Sequence, residues 1–381
     1  MNILAAESVS SANVDMWPLF ILLLSVVWVV VGITKLRLHP FLTLILAAVL
    51  VGLMSGPLPE LTTENKGLFH SRVALEETPE GGTSDMIKAV KWSLLGFGNT
   101  AAGIGWVVAL AAIIGTCMMG SGAADRVVRS LMAVFGEKRA GVVLLLSGFL
   151  LSIPVFFDTV FFLLIPLARA LALRTGKHYT LYVMAMAGAG AITHSMVPPT
   201  PGPLMIADGL KLDLGVTMMA GLVASLLPAL LVLKMAAWFD KKYNIPMRDS
   251  PGASGKELKS IVEKKEEDLP PLFLSALPIA FPVVLISTVS VLKLLMKTAE
   301  EGSALATEGY LAFFEYLAFF GSPNVAMTVA AGVAIFTLAQ QVIREAAGKD
   351  LNLSKKLQET LEGPLGMAGV IILITGAGGA F

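Results

Sequence analysis

Charged residues are absent from nine long stretches of this chain, and that spacing constrains the fold more than any single motif. Residues 17–34, 39–59, 92–124, 140–157, 179–207, 214–233, 269–292, 316–343 and 363–381 each run about 18 residues or more without Asp, Glu, Lys or Arg. A hydrocarbon layer about 30 Å thick is crossed by roughly 20 apolar residues in a helix. Inside that layer every backbone N–H and C=O must find a partner within protein, so uncharged runs of this length read as helices. The chain is expected to be an all-α polytopic membrane protein, with its function among channels and transporters.

The remaining composition narrows this further. Lys+Arg and Asp+Glu both number 28, so no basic excess points to nucleic acid. Cys117 is the only cysteine, which leaves neither a disulfide framework nor a zinc cluster. It reads as an inert thiol in an apolar stretch. No cofactor, metal or catalysis is expected. Met1 to Asp15 lacks the basic start of a cleaved signal peptide, so the first apolar run is expected to remain as a helix. The lipid bilayer is the one certain surroundings such a chain needs.

Basic loops mark the cytoplasmic side. Segments 125–139, 169–178 and 240–268 read as inside, and the acid-rich loops 60–91 and 297–315 as outside. Both flanks of 140–168 then fall inside, so that segment is a hairpin or a pair of short broken helices. The first helix after the linker runs opposite to the first helix of the chain. Ile113 to Ala123 (IIGTCMMGSGA) loosely matches Ile371 to Ala380 (IILITGAGGA). This arrangement predicts inverted-topology repeats with broken helices or re-entrant hairpins, and a substrate site near the midplane. The expected division is a first transmembrane repeat over 1–238, a cytoplasmic charged linker over 239–270, and the start of a second, inverted repeat over 271–381. Because the chain stops inside an apolar run at Phe381, it reads as truncated at the C-terminus.

Several stretches predict backbone breaks at membrane depth. Gly96 to Thr100 is expected to interrupt the 92–124 run, with Asn99 and Thr100 satisfying freed backbone groups and a helix N-terminus offering N–H donors to an anion. Gly115, Gly120, Ser121 and Gly122 fit either close helix packing or a second break at Ser121-Gly122. In Ser152 to Thr159, Pro154 removes a helical N–H, and Asp158 is the only charge between Arg139 and Arg169. A carboxylate at that depth is costly unless paired, protonated or facing water, which makes Asp158 a candidate proton carrier. His194 to Pro203 holds four prolines in its last six residues, too many for a helix to continue. His194 beside it can titrate near neutral pH. Asp208, Lys211 and Asp213 read as outer-loop residues.

At these residues the chain resembles the gluconate permease family, proton-coupled symporters for gluconate and related sugar acids. MGSGAADRV (Met119–Val127), GFLLSIPVFFDTVFFLLIP (Gly148–Pro166), HSMVPPTPGP (His194–Pro203) and ILITGAGGAF (Ile372–Phe381) carry the resemblance. It implies a multi-pass protein of the bacterial inner membrane, with inverted repeats and helical hairpins, that takes up a hydroxy-carboxylate with H+. It supports Asp158, Ser121-Gly122 and the His194–Pro203 break as functional, and Ile372–Phe381 as the second-repeat counterpart of 113–123. Ser152, Thr200 and Ala123-Ala124 depart from the residues usual there, and Thr200 stands where the family commonly has His. The expected substrate-binding set is Asn99, Thr100, Ser121, Gly122, Ser195, Pro199 and Thr200, with Asp158 and His194 in proton coupling. A sodium-coupled transporter of another small carboxylate or amino acid is the alternative, with a membrane-embedded enzyme or a channel behind it. A homodimer is expected by analogy with transporters of this kind.

Overall fold

The structure is a computed structural model, and it describes residues 16–58, 84–175, 177–243, 245, 266–298, 308–346 and 352–381. Residues 59–83, most of the charged linker (244 and 246–265) and 299–307 lie outside the described residues. Among the described residues all regular structure is helical. Seven helical segments among them are long and apolar enough to cross a membrane. The helices are α1 (Trp17–Thr34), α2 (Pro40–Met54), α3 (Asp85–Gly120), α4 (Ala123–Phe135), α5 (Ala140–Leu151), α6 (Phe157–Thr175), α7 (Tyr179–Met196), α8 (Pro201–Gly209), α9 (Leu214–Tyr243), α10 (Leu272–Thr298), α11 (Glu308–Phe320), α12 (Pro323–Ala346) and α13 (Leu353–Ala380).

The chain divides into two compact units, one of residues 1–102 with 372–381 and one of residues 103–371. In the first unit, α1 and α2 form an antiparallel pair tied by two indoles. Trp17 Nε1 donates to the Met54 carbonyl at 2.9 Å and Trp28 Nε1 to the Thr43 carbonyl at 3.1 Å. The expected break at Gly96–Thr100 is absent: α3 is one helix of 36 residues. Its small residues serve close packing instead. A methyl at Gly96 would lie 2.9 Å from the Gly379 carbonyl oxygen, and one at Gly376 would lie 2.9 Å from the Phe97 ring. The glycine-rich end of α13 thus lies along this face of α3, where small residues let two backbones approach.

The second unit is built around α5, α7 and α9. Leu145 and Phe149 of α5, Ala185 and Ala189 of α7 and Ala229 of α9 form one buried cluster. Alanines and glycines on α7 allow this close approach. A methyl at Gly148 would stand only 2.5 Å from the Met186 carbonyl oxygen, so α5 and α7 touch backbone to backbone there. Gly141 faces Leu181 and Gly148 faces Met186, so the two helices run parallel. The 12 residues of α5 span only about 18 Å, well short of a bilayer. Helix α6 then returns to the side on which α7 begins. Of the two forms open for 140–168, the structure is therefore a re-entrant hairpin.

Both ends of the α7–α9–α10 bundle are pinned by carboxylates. At one end Asp240 Oδ1 accepts from the Leu181 N–H at 3.3 Å while Oδ2 meets His178 Nδ1 at 2.7 Å. His178, at the N-cap of α7, makes no capping bond with its own side chain, so α9 supplies the cap. At the other end Asp213 caps α9 through the Val216 N–H at 3.0 Å and accepts from the Ser290 hydroxyl of α10 at 2.5 Å.

Candidate functional site

The hairpin tip occupies Ser152 to Phe156. Pro154 cannot donate a helical hydrogen bond, and α5 has ended at Leu151, with Ser152 N–H capping back to the Gly148 carbonyl. Helix α6 restarts at Phe157. A methyl at Gly190 of α7 would meet Ser152 Oγ at 3.0 Å and the Phe157 ring at 3.1 Å, so Gly190 marks the depth of the tip. Gly190 lies about 17 Å along α7 from its start, near the middle of a bilayer about 30 Å thick. Asp158 is the second residue of α6, and its side chain lies outside the described residues.

The second break, Val197 to Thr200, is brought to the same place. Ile153 of the tip and Val197 share a buried cluster with Met218, Ile286 and Ala326. The rings of Phe156 and His194 meet edge to face with centroids 6.3 Å apart. Two α-helices thus end side by side, α5 at Leu151 and α7 at Met196, and two begin beside them, α6 and α8. The Pro198-Pro199 bond is cis, and Pro198, Pro199 and Thr200 are all buried. The Thr200 hydroxyl donates to the Val197 carbonyl at 2.7 Å, satisfying part of the break locally. Ser195 is exposed, and its hydroxyl donates back to Ala191 at 2.8 Å.

The Ser121-Gly122 break is present: α3 stops at Gly120 and Gly122 adopts φ +77, a left-handed conformation that favours glycine. Ser121 is fully buried, and its hydroxyl accepts from the Ala123 N–H at 3.3 Å. A methyl at Gly122 would meet Leu269 at 2.9 Å, and Leu269 itself is buried. The turn that carries Leu269 is clamped by Arg344 donating to the Glu267 carbonyl at 3.0 Å, by Gln341 donating to the Asp268 carbonyl, and by an Arg126–Glu266 ion pair at 3.4 Å. Asn99 and Thr100 lie in the other unit, on the unbroken α3. Asn99 lines a cavity of about 330 Å³ there with Ser55, Trp92, Ser93 and Phe381.

Two groups in this unit were not singled out by the pattern of residues. Ser152 Oγ and Thr193 Oγ1 are completely buried and, among the described residues, have no hydrogen-bond partner. The orphaned state of either hydroxyl depends on what packs beside it, so no spacing rule marks it. Asp213 was read as a plain loop acid, yet its carboxylate bonds the Val216 N–H and the Ser290 hydroxyl and lies 4.0 Å from the Lys293 ammonium. Burial acts to raise its pKa, but the Ser290 hydroxyl, the Val216 N–H, the Lys293 ammonium and the Gly215 N–H together outweigh burial and hold it below the usual carboxylate range.

Comparison with known proteins supplies the family. The GntP family permease profile matches residues 17–66 and 82–381. An uncharacterised permease of Haemophilus influenzae is 32% identical over 369 residues, covering 95% of this chain and 66% of that protein. The gluconate permease of Pseudomonas aeruginosa is 30% identical over 370 residues, 96% of this chain and 70% of that protein. The D-serine transporter DsdX of Escherichia coli K12 is 30% identical over 371 residues, 96% of this chain and 71% of that protein. The chain thus spans about two thirds of the length of these relatives, and no solved structure matches it. With seven membrane-length helical segments among the described residues and a family match that covers most of the chain, the chain belongs to the GntP permeases, a family of transporters and not of enzymes, as a multi-pass protein of the bacterial inner membrane.

Proposed function

We propose that the protein is a secondary active symporter that takes up gluconate or a related hydroxy-carboxylate together with H+. The observation that carries this reading is the meeting, about half way through a bilayer, of a re-entrant tip whose helix opens with Phe157-Asp158 and a broken helix that ends at His194 to Thr200. An acid in the first turn of a helix that begins at that depth has a use as a proton carrier that a surface acid has not. His194, against Phe156, is the second titratable group beside the tip. Irregular backbone is tolerated at membrane depth where it is buried in protein or lines a cavity, which fits a binding role for Ser195, Pro199 and Thr200 around the second break. Ser121 and Gly122 form the cytoplasmic-side turn of the same unit, under Leu269. The division into a first repeat over 1–238, a linker over 239–270 and an inverted repeat from 271 belongs to this proposal, as does a homodimer.

The gluconate permease and the D-serine transporter are equally similar to this chain, at 30% identity each. Both named substrates are small carboxylates with a neighbouring hydrogen-bonding substituent, so D-serine is the second substrate to test. The assay is uptake of radiolabelled gluconate into proteoliposomes, with and without an inward proton gradient, and with Na+ replaced by choline at fixed pH. Accumulation that follows the proton gradient and ignores the Na+ replacement is the expected result. Accumulation that collapses without Na+ overturns H+ coupling. Uptake that only equilibrates overturns active transport.

A further inference from the structure

Helix α3 stops at Gly120 and α4 starts at Ala123, so the chain makes a turn of irregular backbone at Ser121-Gly122. Two leucines from the far half of the sequence close it. A methyl at Gly120 would lie 3.0 Å from a methyl of Leu338 in α12, and one at Gly122 would lie 2.9 Å from a methyl of Leu269. Ser121 between them has no exposed surface, and Leu269 is 4% exposed. The two glycines make the seat. A side chain at either position would hold its leucine off the turn, and φ +77 at Gly122 is itself costly for any other residue.

Leu338 belongs to a long helix, but Leu269 does not. It sits in residues 266–271, one 3-10 turn (Glu266–Asp268) followed by Leu269, Pro270 and Pro271, before α10 begins at Leu272. This strap is tied to three helices. On α12, the buried Gln341 side chain donates to the Asp268 carbonyl, and Arg344 donates to the Glu267 carbonyl at 3.0 Å. On α4, Arg126 pairs with Glu266 at 3.4 Å. On α10, the buried Ser275 hydroxyl donates to the Pro271 carbonyl at 3.0 Å. Two successive prolines with fixed φ make the strap a stiff extension of α10. The ties to α4 and α12 are of a looser kind. Glu266 and Arg344 are both exposed, so water takes over from either partner as it parts. What remains is one leucine side chain lying over one glycine.

We propose that residues 266–271 are a gate: clamped as here, the strap shuts the Ser121-Gly122 turn off from water, and it lifts with α10 during the transport cycle to open that end of the unit to one side of the membrane. This rests on the transport reading alone, and on neither gluconate nor H+ as the cargo. A fully buried hydroxyl under a single leucine, with catches that face water, is a closure that opens without exposing a core. The clamp joins α4, from the first half of the chain, to α10 and α12 from the second. Those halves are the two bodies of the proposed repeat division, and alternating access requires one to move against the other.

The experiment is labelling of Ser121→Cys in the full-length protein, with its other cysteines replaced by alanine. The protein is reconstituted in a single orientation, and a membrane-impermeant methanethiosulfonate is added to one face at a time. With the strap intact, labelling should be slow. Leu269→Ala should speed it about tenfold or more, from one face only, as for a lost buried leucine. Arg344→Ala should speed it about tenfold, as for a lost hydrogen bond from a charged donor. Glu266→Ala, at an exposed pair, should change it by less than about fivefold. Unchanged labelling in both Leu269→Ala and Arg344→Ala, or labelling speeded from both faces alike, overturns the proposal. In a second arm, Arg126→Cys and Glu266→Cys are joined by a bifunctional methanethiosulfonate, which holds the strap down. Uptake should be lost, and should return when the cross-link is reduced. Full uptake with the cross-link in place overturns the gate. If Leu269→Ala does not fold, this arm decides, because the pair it replaces contributes little to stability. If the protein takes up no gluconate, the substrate reading fails separately. The labelling needs no substrate, and the cross-link is then read with D-serine uptake.

Discussion

Replacing Gly148 by alanine tests the backbone contact that sets the hairpin against α7. Away from any neighbour, Gly→Ala inside a helix stabilises by about 0.5–1 kcal/mol, because alanine has less backbone freedom to lose. At Gly148 the new methyl would sit 2.5 Å from the Met186 carbonyl oxygen. An ordinary carbon–oxygen contact is about 3.4 Å, so α5 and α7 must separate by roughly 0.9 Å. The obstacle is backbone, which cannot rotate away. Overpacking of this kind costs about 1–3 kcal/mol, enough to reverse the sign of the propensity gain. At Gly115 the methyl would meet a Val155 methyl at 2.8 Å, an obstacle that can turn, so the net effect should lie near zero. At Gly332, in the interior of α12 and with nothing within 4 Å, the gain should survive. Thermal unfolding of the purified protein in detergent, followed by tryptophan fluorescence, should rank the melting temperatures Gly332→Ala above wild type and Gly148→Ala several degrees below it. A melting temperature for Gly148→Ala equal to that of Gly332→Ala would refute the backbone contact. The hairpin docking argued from it would fall with it.

Three further outcomes are expected. Asp240→Ala removes both the cap on Leu181 and the partner of His178, and should destabilise by about 1–3 kcal/mol, whereas Asp240→Asn, which keeps an acceptor, should lose less; equal losses in thermal unfolding would refute the capping role. Asp213 has a folded pKa below its unfolded value of about 3.9, so its contribution is fully present above about pH 4 and disappears as pH falls through the folded value. The gap in melting temperature between wild type and Asp213→Asn should therefore close on acidification below about pH 4, and a gap independent of pH would refute the assignment. At the clamp around Leu269, Leu269→Ala should cost about 2–5 kcal/mol through lost burial, while Glu266→Ala, at an exposed ion pair, should change stability by less than about 1 kcal/mol; the reverse order would refute the view that Leu269 holds the clamp.

Part of the candidate site was legible in the chain because its causes are local. Proline without an N–H stops helices wherever it recurs, so the breaks at Ser152–Phe156 and Val197–Thr200 could be read from Pro154 and from the Pro198–Pro203 cluster. Small residues were less informative. Gly96 to Thr100 and Gly120 to Gly122 look alike as strings, yet one continues a helix and the other ends it. What differs is the neighbour: the backbone of Gly379 and Ala380 lies against the first, and Leu269 covers the second. The pairing of His178 with Asp240, 62 residues apart, has no local signature at all.

The sequence by itself determined the class and the family. Hydrocarbon thickness, positive loops and proline chemistry act on residues close together in the chain, so they can be read without a fold. The tertiary structure alone decided that 140–175 is a hairpin whose tip stops half way through, and that the tip meets the second break. It also decided that, among the described residues, the buried hydroxyls of Ser152 and Thr193 are left without hydrogen-bond partners. These depend on which backbones come within van der Waals contact of one another, and that is fixed by the packing of glycine and alanine faces distant in sequence.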